Sequence, residues 1–312
     1  MNMKDNSIGL VTPAAIGRRW LDAFKRVAPH LKVLLNDEIT DPGAIELLLV
    51  WKHQRGVLAP FENVKLLYSL GAGVDHLLAD PDLPKNVPIC RIVDPLLSFS
   101  MSNYIIYAVL EFQRRMDKYR KDQQTGTWDH YAPPERTIHI GVLGLGYLGQ
   151  DAACKLTGLG FDVSGYSLSP KNIPNINCYH GAQLDSFLTA VNVLVCTVPY
   201  TKKTHALLNQ SLFNKLPKGS YLINVARGKV QVASDILAAL DSGQLAGAFL
   251  DVFETEPLPS DSPFWQHPKV NITPHIASIT NPEAGVQQIM ANWQRLQQRK
   301  PLDNQVNLQK GY

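Results

Sequence analysis

Residues 138–149 read Ile-His-Ile-Gly-Val-Leu-Gly-Leu-Gly-Tyr-Leu-Gly, a short apolar run leading straight into a G-x-G-x-x-G turn at the head of a helical pattern. No other stretch constrains the fold as tightly, because such a turn has meaning only between a strand and a helix. Gly144 would allow the tight turn out of the strand, Gly146 a close approach of the backbone to a ligand, and Gly149 close packing of helix on strand. The start of a helix offers free N–H groups and a positive dipole end, which suit an anion. The turn is therefore expected to hold the pyrophosphate of a dinucleotide. The run before it reads as a buried parallel strand, and Gln150 to Leu159 carries apolar residues at Ala153, Leu156 and Leu159 before Gly160 stops the helix.

The choice of dinucleotide is narrowed by the residues just after the second strand of this unit, Phe161 to Tyr166. A site preferring NAD usually places an Asp or Glu about 20 residues beyond the turn, where it accepts from the ribose hydroxyls. Here the chain reads Tyr166-Ser-Leu-Ser-Pro-Lys171, with Ser167 where the acid would fall. A carboxylate would repel a 2′-phosphate, whereas the hydroxyls of Ser167 and Ser169 and the ammonium of Lys171 can bind one. The expected coenzyme is NADPH, with NADH as the alternative. The competing reading is a polar surface turn whose lysine is merely solvated.

At 312 residues the chain is long enough for two domains with separate cores. A formal net charge of +3 gives no basic excess that would argue for nucleic acid, and the Arg18-Arg19, Lys25-Arg26 and Arg114-Arg115 pairs are scattered, as on solvated helix faces. Cys90, Cys154, Cys178 and Cys196 lie far apart, form no C-x-x-C and have no histidines at zinc-site spacing. They read as reduced core or near-core thiols of a cytoplasmic protein, and no metal site is expected. The N-terminus carries no signal-peptide pattern, and no apolar stretch approaches the roughly 20 residues of a membrane span.

Short apolar runs at 7–12, 32–36, 45–51, 65–70 and 88–93 alternate with helical patterns such as Ala15–Val27 and with turn signals such as Asp41-Pro-Gly43. This is βαβ alternation and hence a parallel sheet. A long helix from Met101 to about Lys121 opens with turns that are apolar on every side, so it is expected to be buried between domains. Gln123 to Pro134 reads as a loop, and a second alternation runs from Ile138 to about Ser278. The last helix, Pro282 to Gln298, is expected to return to the first domain. The expected division is 1–101 with 283–312 as one discontinuous domain and 102–282 as the other.

Three segments late in the second domain each begin where a strand-like run ends, which is where open parallel sheets place their ligands. Tyr221-Leu-Ile-Asn-Val-Ala-Arg-Gly228 delivers Arg227. Ala246-Gly-Ala-Phe-Leu-Asp-Val-Phe-Glu-Thr-Glu-Pro257 delivers Asp251 and, beyond a turn, Glu254 and Glu256. Val270-Asn-Ile-Thr-Pro-His-Ile-Ala-Ser278 delivers His275. An arginine, a carboxylate and a histidine at three successive strand ends could surround one small anionic ligand. Each also has a plainer reading, Arg227 and Glu254 as ion-pair partners at the surface and His275 as an ordinary strand-end residue.

With the glycine turn, the segments Asn224-Val-Ala-Arg-Gly228, Asp251-Val-Phe-Glu-Thr-Glu-Pro257 and Thr273-Pro-His275 resemble, in order and spacing, the signatures of the D-isomer-specific 2-hydroxyacid dehydrogenase family. The resemblance covers nearly the whole chain. Ser262-Pro-Phe-Trp-Gln-His-Pro268, Leu70-Gly-Ala-Gly-Val-Asp-His76 and the ending Gly311-Tyr312 are most similar to its bacterial glyoxylate/hydroxypyruvate reductase A group. That group uses NADPH, although at Leu168 these relatives commonly carry an arginine that grips the 2′-phosphate. The resemblance implies two doubly wound parallel-sheet domains of the α/β class, a flavodoxin-like substrate domain and a Rossmann coenzyme domain.

It also implies roles. His275 would be the general acid for the oxygen of a 2-oxo acid, since histidine alone titrates unperturbed near neutral pH. Glu256, chosen over Glu254 because the family's acid directly precedes the proline, would favour the imidazolium. Arg227 would bind the substrate carboxylate through its fixed fork of donors. Asp251 would bond the nicotinamide carboxamide. Leu145, Tyr147, Leu148, Pro199, Thr204, Val225, Ala226 and Ala277 would line the coenzyme. In the first domain, the Gly71-Ala-Gly73 turn could form an anion nest, with Ala72 and Gly73 on the substrate carboxylate. Trp51 is either a wall limiting substrate size or ordinary core packing, and Met101 and Tyr104 are weaker candidates for the wall. Glyoxylate and hydroxypyruvate are the implied substrates and a homodimer the implied assembly. A reductase of bulkier 2-oxo acids and an NAD(H)-sensing binding protein are the alternatives, the latter disfavoured by the missing acid at Ser167.

Overall fold

The computed structural model describes residues 8–131, 133 and 135–311. The N-terminal stretch before Ile8, Ala132, Pro134 and the final Tyr312 lie outside the described residues. The chain divides into two compact units, one of residues 1–97 with 279–312 and one of residues 98–278. The division falls slightly before the expected boundaries, because Met101, on the helix Pro95–Gln113, already belongs to the core of the second unit.

The first unit holds strands β1 (Ile8–Val11), β2 (Val33–Leu35), β3 (Leu47–Val50), β4 (Leu66–Ser69) and β5 (Ile89–Arg91), each shorter than its apolar run. All pair in parallel in the order β2-β1-β3-β4-β5, the flavodoxin-like arrangement. Leu47-Leu-Leu-Val50 is buried throughout, which explains why it reads as an unbroken apolar run: both faces of a parallel sheet are covered. The helix Pro282–Gln297 belongs to this unit and packs on Ala14–Val27, where the Trp20 indole lies over Gly285. Asn292, 1% exposed, donates to the Tyr68 hydroxyl at 3.1 Å and to Asp303 O at 2.8 Å, tying the C-terminal segment to β4.

The second unit holds β6 (Ile140–Leu143), β7 (Val163–Ser167), β8 (Asn177–His180), β9 (Val193–Cys196), β10 (Ser220–Asn224), β11 (Leu245–Leu250) and β12 (Val270–Ile272). The order is β12-β11-β10-β9-β6-β7-β8, again all parallel. This is the Rossmann order with one strand added. Separate apolar cores lie on its two faces. The strand order reverses between β6 and β9, and loops leaving that point diverge and leave a crevice at the carboxyl ends of the strands.

Three expectations about helices need correction. The long helix is two, Pro95–Gln113 and Met116–Thr125, broken where Arg115 takes a left-handed φ of 57°. The loop after it therefore begins only at Gly126. Nor is the first of these helices buried all round: Ile105, Ala108, Val109 and Phe112 are buried, but Tyr107 is 56% exposed. The helix after the glycine turn runs from Tyr147 to Gly158, and Leu159, just beyond it, is exposed, leaving Ala152, Ala153 and Leu156 as the buried stripe. Among the cysteines, Cys154 is exposed and Cys178 half-buried, whereas Cys90 and Cys196 are buried and all four are free thiols. Burial pushes the Cys90 and Cys196 thiols up to about 12, which makes them inert. Among the described residues no helix is long and apolar enough to cross a membrane.

Candidate active site

The glycine turn sits at the end of β6, at the reversal of the second sheet. Gly144 has φ 111°, a conformation L side chains rarely adopt, and a Cβ there would meet the backbone of Thr197 and Val198 at about 3.0 Å. A Cβ on Gly149 would fall under 3.0 Å from Gly144 O and from Thr197 Oγ1. Thr197, which sequence reasoning missed, donates from Oγ1 to Gly144 O at 2.7 Å and so fixes the turn from β9. A Cβ on Gly146 would meet nothing within 4 Å, and no side chain caps the helix that begins at Tyr147. Uncapped N–H groups behind an open glycine are a cradle that fits a pyrophosphate. Leu145 is 2% exposed and packs against Gly165, so only its backbone serves the turn. Tyr147 is exposed and Leu148 half-buried.

Ser167 ends β7, and its hydroxyl donates to Ser169 O at 2.7 Å. Leu168, Ser169 and Lys171 are exposed. The Ser167 donor is thus committed within the turn, which leaves the Ser169 hydroxyl and the Lys171 ammonium as outward donors in a stretch without a carboxylate. At the end of β9, Thr204 Oγ1 donates to Pro199 O at 2.7 Å and accepts from Thr201 N at 2.8 Å, so Thr204 holds its own loop together.

At the end of β10, Val225 and Ala226 are each 5% exposed. Asn224, buried and not singled out from the sequence, accepts from Ala226 N at 3.0 Å and donates to Gln231 Oε1 at 2.7 Å, shaping the turn that presents Arg227. Arg227 is half-buried, and its Nη1 donates to Ala226 O at 2.8 Å. The next residue, Gly228, lies so close to the next loop that a Cβ would fall under 3.0 Å from the backbone of Phe253 and Glu254. That contact brings the arginine loop against the loop carrying Glu256.

The ends of β11 and β12 form one hydrogen-bonded assembly. Asp251 is 1% exposed, and its carboxylate accepts from Thr273 Oγ1 at 2.6 Å, Ile276 N at 2.8 Å and Ala277 N at 2.9 Å. Because the Thr273 hydroxyl gives its proton to Asp251, Tyr104 OH is the donor in its own short bond to Thr273 Oγ1. Burial pushes the Tyr104 phenol up, which keeps that proton in place. Asp251 therefore clamps both sides of His275. The histidine sits between them with φ 57°, its N–H on Asp251 O at 2.8 Å. Its Nδ1 meets both oxygens of Glu256, at 2.8 and 3.1 Å, and the two side chains are 25% and 24% exposed. Glu256 Oε1 is itself held by Phe253 N at 3.2 Å. With Nδ1 committed to Glu256, Nε2 is the ring nitrogen left for a further partner. Glu254 is exposed and, contrary to expectation, makes no ion pair among the described residues.

In the first unit, the Gly71–Gly73 turn has its carbonyls occupied. Ile92 N donates to Gly71 O at 3.3 Å, Arg91 Nη1 to Ala72 O at 3.3 Å and the buried Ser69 hydroxyl to Gly73 O at 2.7 Å. The N–H groups of Ala72 and Gly73 donate to nothing among the described residues. The turn is thereby fixed as a donor-rich concavity suited to an anion. The Trp51 indole lies on it, since a Cβ on Gly71 would come within 2.5 Å of the ring, and stacks edge-on against His76 at 4.8 Å. Trp51 thus packs on the turn. His53 pairs with Asp80 at 2.7 Å, with both side chains almost fully buried. Among the described residues no group of His, Cys, Asp or Glu is arranged to hold a metal ion.

The family model described as D-isomer specific 2-hydroxyacid dehydrogenase, NAD binding domain, matches residues 106–277. A glyoxylate/hydroxypyruvate reductase A from Serratia proteamaculans is 42% identical over 280 residues, covering 88% of this chain and 89% of the relative. A D-isomer specific 2-hydroxyacid dehydrogenase from Xanthobacter autotrophicus, solved in complex with NADPH and MES, is 40% identical with a TM-score of 0.92, covering 99% of this chain and 100% of that one. An NADPH-dependent glyoxylate/hydroxypyruvate reductase from Sinorhizobium meliloti, solved with NADP and sulfate, is 35% identical with a TM-score of 0.92, covering 98% and 100%. With matches of this extent, on a sheet order and strand-end residues of this kind, the chain belongs to the D-isomer specific 2-hydroxyacid dehydrogenase family.

Proposed function

We propose that this chain reduces small 2-oxo acids with NADPH, glyoxylate to glycolate and hydroxypyruvate to glycerate, with His275 as the general acid. The observation that carries this reading is the seating of His275 Nδ1 on both oxygens of Glu256, at 2.8 and 3.1 Å. A carboxylate there orients the ring, so that Nε2 can deliver a proton to the oxygen on C2. When bound, the reduced nicotinamide supplies the hydride that C2 receives. Arg227 offers its planar fork to the carboxylate or the ketone oxygen, a geometry lysine lacks. Asp251 holds the His275 segment in place and keeps acceptor capacity for an amide such as the nicotinamide carboxamide. In the first unit, the Ala72 and Gly73 N–H groups receive the substrate carboxylate.

NADPH as coenzyme is supported by the carboxylate-free stretch after β7 and by the NADPH and NADP complexes of the similar structures. The choice of glyoxylate and hydroxypyruvate is supported by the similar reductases. The test is the initial rate of NADPH and of NADH oxidation with glyoxylate, hydroxypyruvate and phenylpyruvate. The expected result is rapid NADPH oxidation with the two small acids and slower oxidation of NADH. Turnover confined to phenylpyruvate would move the chain to a sister specificity, and tight NADPH binding without turnover would make it a sensor.

Action in the cytoplasm as a homodimer completes the proposal. The free thiols suit a reducing compartment. In the second unit Tyr107, Leu110, Met116, Trp128 and Tyr131 are exposed, Trp128 by 91% and Tyr131 by 87%, an excess of large apolar side chains that a second copy would cover. Sedimentation velocity should give twice the monomer mass, and Leu110→Asp combined with Trp128→Asp should move the boundary toward the monomer. A wild-type chain that sediments as a monomer at micromolar concentration would refute the dimer.

A further inference from the structure

Arg91, at the end of β5, stands out as a cation without an anion. Its side chain is partly buried, and its one hydrogen bond among the described residues is the 3.3 Å bond from Nη1 to Ala72 O, at the long end for a guanidinium with five donors. It forms no ion pair among the described residues, and burial holds it below its ordinary value with nothing to offset it. Arginine cannot escape by deprotonating, so a half-desolvated guanidinium calls for a negative partner. The groups beside it are the Ala72 and Gly73 N–H donors, in a turn whose Gly71, Ala72 and Gly73 carbonyls are already tied to Ile92, Arg91 and Ser69 respectively. A fixed arginine and two fixed N–H groups at one strand edge make a composite site for a carboxylate.

We propose that Arg91 is a substrate-binding residue of the first unit, placing a charge-assisted donor on the carboxylate that the Ala72–Gly73 turn receives. This rests on the reductase reading for the identity of the anion, and it assigns the first unit a cation of its own in addition to the Arg227 of the second. Arg91 touches no reacting atom in this role, so it governs KM and leaves kcat nearly constant.

The test compares the full-length wild type, Arg91→Met and Arg91→Lys. Two readouts are used: steady-state kinetics with glyoxylate and NADPH, and calorimetric binding of oxalate, a non-reacting dicarboxylate, to the NADP-saturated enzyme. Arg91→Met should raise KM and the oxalate Kd about 10- to 100-fold, the usual worth of hydrogen bonds to charged groups. Its kcat should change little, and Arg91→Lys should recover part of the loss. The melting temperature without anion should be unchanged or higher in Arg91→Met, because an apolar side chain of similar length removes an uncompensated cation. A fall in that temperature with unchanged oxalate affinity would assign Arg91 a purely structural role and overturn the proposal. Failure of the wild type to turn over any 2-oxo acid would sink the reductase reading alone, since loss of oxalate binding in Arg91→Met would still establish the anion site.

Discussion

Replacing His275 by alanine should lower kcat for glyoxylate reduction by about 10²- to 10⁴-fold, the usual worth of a positioned general acid, while NADPH binds as before. The separation of the two effects comes from the geometry. His275 projects from the β12 loop with Nδ1 on Glu256, whereas the glycine turn lies at the end of β6 and makes its structural bonds to Thr197. Single-turnover rates with saturating NADPH, alongside a fluorescence titration of coenzyme binding, measure both. Undiminished turnover in the variant would remove His275 from the mechanism. Glu256→Gln should give a smaller loss, since a neutral amide can still orient the ring, through a weaker hydrogen bond than the charged carboxylate makes.

The second large effect belongs to a residue with no functional group. Gly228→Ala should destabilise the second unit by about 1–3 kcal/mol or more, because a Cβ there meets backbone rather than a movable side-chain end. At about 2–4 °C per kcal/mol for a unit of this size, a thermal scan resolves it. The same change should depress turnover at temperatures where the protein remains folded. It pries apart the loop that ends in Arg227 and the loop that leads to Glu256, and placement errors of this kind are costly in a site that works by orientation. His275→Ala should show the opposite pattern, a large kinetic loss with a far smaller thermal change. A Gly228→Ala protein with unchanged melting and unchanged kcat would mean that the two loops are not mechanically joined.

Much of this architecture is legible in the sequence, and the remainder is hidden for identifiable reasons. The glycine turn announces itself because each of its glycines answers a different steric demand within six residues. The strands were readable as apolar runs, but their ends were not, because buried loop residues such as Leu70 and Ile92 look the same as strand residues. Nothing around Arg115 signals a helix break: no glycine or proline stands there, and the left-handed turn falls on an arginine. Cys154 and Leu159 are exposed although apolarity alone suggests burial, and single exposed apolar residues are ordinary.

Among the site residues, those delivered by strand ends could be picked out, while those that hold them could not. Thr197, Asn224 and Thr273 are common polar residues in ordinary positions, and partners such as that of Thr197 are set by pairings such as β6 with β9 that join residues some fifty positions apart. Spacing alone did not separate Glu254 from Glu256. In the structure, Glu256 turns toward His275 and Glu254 toward solvent.

The left-handed backbone of His275 carries a consequence for how this chain tolerates change. At φ 57° a histidine costs about 1–2 kcal/mol more than a glycine would, a conformation that asparagine also accepts with relative ease. Thermal selection acting alone on a library of this position is therefore expected to favour Gly over His, whereas selection on turnover is expected to do the reverse. Position 275 is a place where stability and the proposed proton transfer draw the same codon in opposite directions, and automated stabilisation of the enzyme would erase the proposed proton donor first.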